Sequence, residues 1–182
     1  MTKNFTLRSE KTRPSSRVKR EREEEKIFLV LHNIRSAHNV GAIFRTADAA
    51  GVAKIFLTGY TPSPRDALGN YREEIKKTAL GAERFVAWEA RRDAVKLVKM
   101  LRSADINIVA LEQAPGAVDY RKFKPRFPLA LIVGNEVRGL SKNILRVSDA
   151  IIKIPMHGKK ESLNVSVAAG IVLFTLRSVS KT

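Results

Sequence analysis

The stretch Ile27-Phe28-Leu29-Val30-Leu31, followed after a polar gap by Asn39-Val40-Gly41-Ala42-Ile43-Phe44-Arg45-Thr46-Ala47, decides the fold. An unbroken run of large apolar residues suits a strand buried on both faces. Beyond it Val40, Ile43, Phe44, Ala47 and Gly51 recur at helical spacing, with Asn39 placed to cap the helix and Gly51 to end it. The alternation then repeats. Ala53 to Leu57 reads as a strand, Thr61 to Asn70 as a proline- and glycine-bearing loop, and Glu73 to Ala79 and Asp93 to Ser103 as helices. Ile106 to Leu111, Leu129 to Val133 and Ile151 to Ile154 read as further strands, and Leu163 to Leu176 as a closing helix. Buried strands separated by helices predict an α/β fold, a mostly parallel sheet flanked by helices.

A chain of 182 residues suits one ordinary domain with its own core. Residues 1–26 are rich in Arg and Lys and nearly devoid of large apolar side chains, so they are expected to form a flexible basic arm, with the folded domain over 27–182. No apolar run approaches the roughly 18 residues of a membrane span, and none follows a basic start as a secretory signal would. The formal charge of +16 creates a field that attracts polyanions, which makes nucleic acid the natural partner and an anionic membrane surface the alternative. Cysteine is absent, which excludes disulfides, thiolate catalysis and the common zinc sites. A cytoplasmic setting is the expectation.

Three separated blocks put amides, glycines and single charges where loops should leave a sheet, the usual seat of binding and catalysis. The first is Asn33-Ile34-Arg35 leading into the helix from Asn39. The second is Ile132-Val133-Gly134-Asn135-Glu136-Val137-Arg138-Gly139-Leu140-Ser141. The third is Ile154-Pro155-Met156-His157-Gly158, followed by Ser162-Leu163-Asn164-Val165-Ser166-Val167-Ala168-Ala169-Gly170. In the first block Arg45 falls about 140° from the apolar stripe, at about 100° per residue, and so points to solvent or ligand. Asn33, Arg35 and Asn39 suit either a phosphate or sugar at a helix terminus or plain turn and cap roles. In the second block Gly134 lets a ligand approach the backbone. Glu136 there pairs either with Arg138 or another cation, or holds a functional arginine. Gly139-Leu140-Ser141 reads as a turn into a short helix capped by Ser141. In the third, Ser162 or Asn164 starts the closing helix.

Other chemistries lack their signatures. No Gly-x-Gly-x-x-Gly follows a strand, and the end of the second strand carries Thr58-Gly59 where a Rossmann site needs an acid. There is no phosphate-binding P-loop. His32, His38 and His157 have no metal-ligand spacing, and Ser162 lacks a nucleophile elbow.

Taken jointly and in order, the three blocks resemble the motifs of the SpoU-type (SPOUT superfamily) RNA 2′-O-ribose methyltransferases. The likeness runs from Ile27 to Arg177 and includes Lys77-Thr78-Ala79-Leu80-Gly81-Ala82-Glu83; the arm and the loop around Thr61 to Tyr71 lie outside it. The resemblance implies a C-terminal deep trefoil knot, which sequence physics would not suggest. It implies a homodimer, matching a C-terminal helix apolar nearly all round. It implies S-adenosylmethionine held largely through the backbone at Leu111, Gly134, Ile154, Met156 and Leu163. The implied catalytic set is Asn39, Arg45, Glu136, Ser162 and Asn164, with Asn33, Arg35 and Arg138 toward RNA and no metal.

The implied reaction is methyl transfer to a ribose 2′-hydroxyl. A guanidinium holds its proton to a pKa above roughly 12, so oxyanion stabilisation with phosphate binding suits Arg45 better than general-base work. Glu136 and Asn39 would orient it, with Arg45 facing the cofactor across the subunit boundary. Transfer RNA is favoured over ribosomal RNA as substrate because only the basic arm stands in for a separate RNA-binding domain. The rival readings are a non-catalytic RNA-binding protein of the same fold and a base-methylating relative.

Overall fold

A computed structural model describes residues 25–179. Most of the arm and the last three residues therefore lie outside the described part. Its elements in chain order are β1 (Ile27–His32), α1 (Ala37–Ala49), β2 (Lys54–Thr58), α2 (Glu73–Ala79), α3 (Ala82–Phe85), β3 (Trp88–Arg91), α4 (Ala94–Ser103), β4 (Asn107–Leu111), β5 (Val118–Asp119), β6 (Leu129–Val133), α5 (Lys142–Val147), β7 (Ala150–Lys153) and α6 (Val165–Val179). The strands form one seven-stranded sheet in the order β3-β2-β1-β6-β4-β7-β5. Every pairing is parallel.

Alternation along each strand explains the layers. Leu29 and Leu31 of β1, Ile55 and Leu57 of β2, and Leu129, Leu131 and Val133 of β6 face the side covered by α1, α2, α3 and α6. Val30, Phe56, Ala130 and Ile132 face the side covered by α4 and α5. Strands covered on both faces read as continuous apolar runs, which is why β1, β4 and β6 were legible in the sequence. By contrast, β3 and β5 were not. Trp88-Glu89-Ala90-Arg91 and Val118-Asp119 are short and half polar, and they occupy the two edges of the sheet.

Helix α1 anchors the site. Its first turn is capped by Ser36, whose hydroxyl accepts from the Asn39 amide at 3.3 Å, so the cap lies three residues before the expected Asn39. Asn39 sits inside the helix and its side chain is free for other work. Gly41 packs against Thr78 and Ile75 of α2 so closely that a Cβ would meet them. Thr78 Oγ1 in turn donates to the His38 carbonyl at 2.9 Å. At the other end Gly51, at φ 64°, releases the chain in the left-handed conformation expected after a helix. Arg177 of α6 donates to the Ala50 carbonyl at 2.7 Å and also to the Gly51 carbonyl, satisfying groups the helix end leaves open.

Helix α6 buries Val165, Ala169, Val172, Leu173 and Leu176 on α1 and the sheet. Its other side exposes Val167 (51%) and Phe174 (53%). The helix is thus apolar nearly all round but covered mainly on one side. No described helix is long and apolar enough to cross a membrane.

Candidate functional site

All three sequence blocks converge at the C-terminal ends of β1, β4, β6 and β7. Between them lies a cleft of about 240 Å³, lined by Leu111, Glu112 and Gln113 after β4, by Val133 to Val137 and Gly139 after β6, and by Ile154, Met156 and Glu161 to Leu163 after β7. Val165 and Ala168 of α6 close it. Ligand crevices in parallel α/β sheets lie at this end because loops from several strands meet there.

The charge of the lining runs against that of the whole protein. The chain carries 34 Lys and Arg residues, yet none lines the cleft, whereas Glu112, Glu136 and Glu161 do. Apolar walls with carboxylates suit a ligand with a large apolar or aromatic part and a positive centre. They do not suit a phosphate.

Hydrogen bonds between side chains lock the three blocks together. Asn39 Nδ2 donates to Glu136 Oε1 at 3.0 Å, and Asn164 Nδ2 donates to Asn39 Oδ1 at 3.1 Å. Glu136 Oε2 accepts from the Arg35 backbone N–H at 3.2 Å. Asn164 Oδ1 accepts from both the Ser166 amide, at 2.8 Å, and its hydroxyl, at 2.6 Å, so Asn164 rather than Ser162 caps α6. Burial by itself would raise the Glu136 carboxyl. The hydrogen bonds from Asn39 and from the backbone amides of Glu136 itself, Arg35 and Ser36 outweigh it and hold the group below the usual carboxylate value of 4.5. Glu136 is therefore an anion held by neutral amides. Among the described residues of this chain it makes no ion pair with Arg138, one of the two roles the sequence offered, nor with Arg45.

A second network sets the loops around this bridge. Asn135 Nδ2 donates to the Asn33 carbonyl at 3.0 Å and to the Tyr60 hydroxyl at 2.9 Å, while its Oδ1 accepts from the Val137 and Arg138 amides. Asn33, at φ 56°, pairs its Nδ2 with His32 Nε2 at 2.9 Å. His32 Nδ1 lies 2.9 Å from Thr58 Oγ1, and burial lowers its pKa. A neutral ring donating from Nδ1 and accepting at Nε2 satisfies every partner.

The structure brings all five expected cofactor positions, Leu111, Gly134, Ile154, Met156 and Leu163, into one cleft lining, together with Glu136 and Ser162. Asn39 and Asn164 stand behind Glu136. Arg45 is exposed on α1, outside the lining, and its side chain makes no hydrogen bond or ion pair among the described residues. Arg35 and Arg138 are exposed, whereas the Asn33 amide is turned inward onto His32 and Tyr60. Gly134 lines the cleft and also has a packing reason of its own. A Cβ there would stand 2.7 Å from Leu140 Cδ2 and 2.8 Å from the Gly139 carbonyl carbon, so glycine is needed for the loop to fold on itself. Sequence reasoning missed Glu112, which accepts from the Leu140 amide at 2.6 Å and the Gln113 amide at 2.9 Å. It also missed Gln113, which donates to the Ile154 carbonyl at 2.6 Å. Both follow β4 in a stretch with no motif, and their partners come from other loops.

Residues 26–174 match the model of the SpoU rRNA Methylase family. The tRNA (guanosine(18)-2′-O)-methyltransferase of Aquifex aeolicus is 34% identical over 154 residues, covering 85% of this chain and 70% of that protein. A 23S rRNA (guanosine-2′-O-)-methyltransferase of Pectobacterium atrosepticum is 33% identical over 153 residues, covering 83% of this chain and 59% of that one. Among solved structures, an AdoMet-bound rRNA methyltransferase from Sinorhizobium meliloti superposes with a TM-score of 0.77 at 33% identity, over 85% of this chain and 57% of the other. The chain thus spans little more than half of the two rRNA enzymes. The parallel sheet flanked by helices agrees with these matches, and the chain belongs to the SpoU methylase family.

Proposed function

We propose that this protein is a cytoplasmic RNA methyltransferase that transfers a methyl group from S-adenosylmethionine to a ribose 2′-hydroxyl. The observation that carries the reading is the cleft without lysine or arginine in a strongly basic protein. A sulfonium cation with an adenine ring fits apolar walls and carboxylates, and the polyanion fits the exterior. Leu111, Gly134, Ile154, Met156 and Leu163 would hold the donor, through backbone groups and apolar contact. When bound, the donor supplies an electrophilic methyl carbon to the ribose oxygen.

The chain's own residues do the rest. Glu136, fixed by Asn39 and by the Arg35 amide, holds the second block against the first, and Asn164 holds the third. The cleft wall therefore keeps its shape as the acceptor docks. Arg45, exposed and uncommitted, is the group we assign to the acceptor phosphate and to the charge that develops on the 2′-oxygen. Because it lies outside the cleft of its own chain, we assign it to the cleft of a second copy. The bare face of α6, with Val167 and Phe174, is the surface we assign to that homodimer. We read the segment that inserts β6 between β1 and β4, and then returns through α6 to α1, as the trefoil-knotted part of the chain.

Transfer RNA remains the favoured substrate, although the similar proteins include both tRNA and rRNA enzymes. The test is methyl incorporation from labelled donor into separated tRNA and rRNA from cells lacking this protein, followed by nuclease digestion and mass spectrometry. A 2′-O-methylated nucleoside in the tRNA fraction is expected. A methylated base, or RNA binding without transfer, would favour the rival readings. Binding should also weaken with salt by roughly 0.7 to 0.9 log units per phosphate contact for each log unit of salt.

A further inference from the structure

Tyr60 lies just beyond the end of β2, where Gly59 turns the chain at φ 66°. Its backbone N–H donates to Asn33 Oδ1 at 3.3 Å, and its hydroxyl accepts from Asn135 Nδ2 at 2.9 Å. The residue is thus held at its backbone and at its hydroxyl by asparagines of the first and second blocks. Between those anchors it remains 59% exposed. It takes part in no ring–ring or cation–π pair among the described residues. Tyr71 makes the contrast clear, since the guanidiniums of Arg65 and Arg84 already lie over its ring at 4.2 and 5.2 Å.

An aromatic ring pinned in one orientation and left facing water is poor core material but a good stacking surface. Its position selects the ligand. Asn135, which holds the hydroxyl, is itself part of the cleft lining. Exposed Arg35 and Arg138 come from the two neighbouring loops, and the Gly59 amide donates to the Arg92 carbonyl at 3.3 Å, bringing a further exposed arginine to this edge of the sheet. Exposed arginines on the loops beside a bare ring suit a nucleobase flanked by phosphates. For a ribose hydroxyl to enter the cleft, its nucleotide has to leave any helical stack, which frees a base that needs a new partner.

We infer that Tyr60 is a stacking platform for an unpaired nucleobase of the RNA, at or next to the nucleotide whose ribose enters the cleft. This rests on the proposed function. A role limited to shaping the loop would run through the hydroxyl and Asn135, whereas stacking runs through the ring.

The comparison of Tyr60→Leu with Tyr60→Phe separates the two. Filter binding and steady-state methyl transfer are measured on tRNA from cells lacking this protein, with donor affinity measured by calorimetry. Stacking predicts that Tyr60→Leu weakens RNA binding and raises its KM about tenfold or more. Tyr60→Phe retains most of that affinity, and the donor Kd stays within twofold for both. Equal losses in the two variants, a matching loss of donor affinity, or an unaffected Tyr60→Leu variant would overturn the platform. Wild-type protein that binds the RNA but transfers no methyl would sink the methyltransferase reading alone, leaving the binding comparison to decide the platform. Wild-type protein that binds no RNA overturns the platform as well.

Discussion

Asn39 Nδ2 donates to Glu136 Oε1 at 3.0 Å across 97 positions of sequence, and the same Asn39 amide accepts from Asn164 through its oxygen. One amide on the first turns of α1 therefore joins the loop after β6 to the start of α6. An amide can donate to a carboxylate through its nitrogen while accepting from a second amide through its oxygen.

Replacing that amide tests the bridge. Asn39→Asp sets a new carboxylate against Glu136, and like charges at that distance repel. Asn39→Ala merely leaves a partner unmade, at a cost of about 1 to 3 kcal/mol. At neutral pH Asn39→Asp is expected to be the less stable of the two. The new carboxylate pair has a raised pKa, so protonation restores a donor as pH falls. The melting-temperature deficit of Asn39→Asp should therefore shrink as the pH falls from neutrality while that of Asn39→Ala holds. Parallel behaviour of the two would refute the bridge.

Glu136 makes an acid-dependent contribution of its own. Its folded-state pKa lies below the ordinary 4.5, so the unfolded chain binds the proton more readily. The stability it provides is complete above the ordinary value and disappears as pH drops through the folded one. Glu136→Gln is expected to lower stability near neutrality and to flatten the pH dependence below 4.5, read by thermal denaturation across that range. A wild-type slope in the variant would mean that other carboxyls carry it.

Arg45 is expected to matter for turnover and not for donor binding, since it is exposed and outside the cleft lining. Arg45→Ala should lose on the order of 10² to 10⁴ in kcat with an unchanged donor Kd. Arg45→Lys should also fail, because a point charge does not replace a planar fork. Near-normal turnover in either variant removes the assignment.

Two glycines of the site separate packing from flexibility. Gly134→Ala would drive a methyl group into Leu140 and the Gly139 backbone, and overpacking of this kind costs about 1 to 3 kcal/mol. It should reduce donor affinity as well, since Gly134 and Gly139 both line the cleft. Gly158→Ala meets nothing within 4 Å and should be silent. Denaturant titrations and donor binding on both variants check this.

Much of this architecture was legible in order along the chain. Leu129 to Val133 reads as a buried strand because it is covered on both faces, and Glu73 to Ala79 reads as a helix from local pattern alone. The edge strands β3 and β5 escaped because an edge needs no continuous apolar run. The cap of α1 was misplaced by three residues, since Ser36 and Asn39 are both good caps and only the backbone distinguishes them.

The amino-acid sequence by itself determined the local periods, the basic balance, the absence of thiol chemistry and the three motif blocks, because each depends on residues near one another or on simple sums. Tertiary structure alone decided which loop meets which. Nothing local tells Asn39 that its partners lie at positions 136 and 164, that Glu112 will cradle the Leu140 amide, or that Tyr60 will stand bare beside Asn135. Those contacts exist because the parallel strand order brings the ends of β1, β4, β6 and β7 to one edge, where partners distant in sequence become neighbours in space.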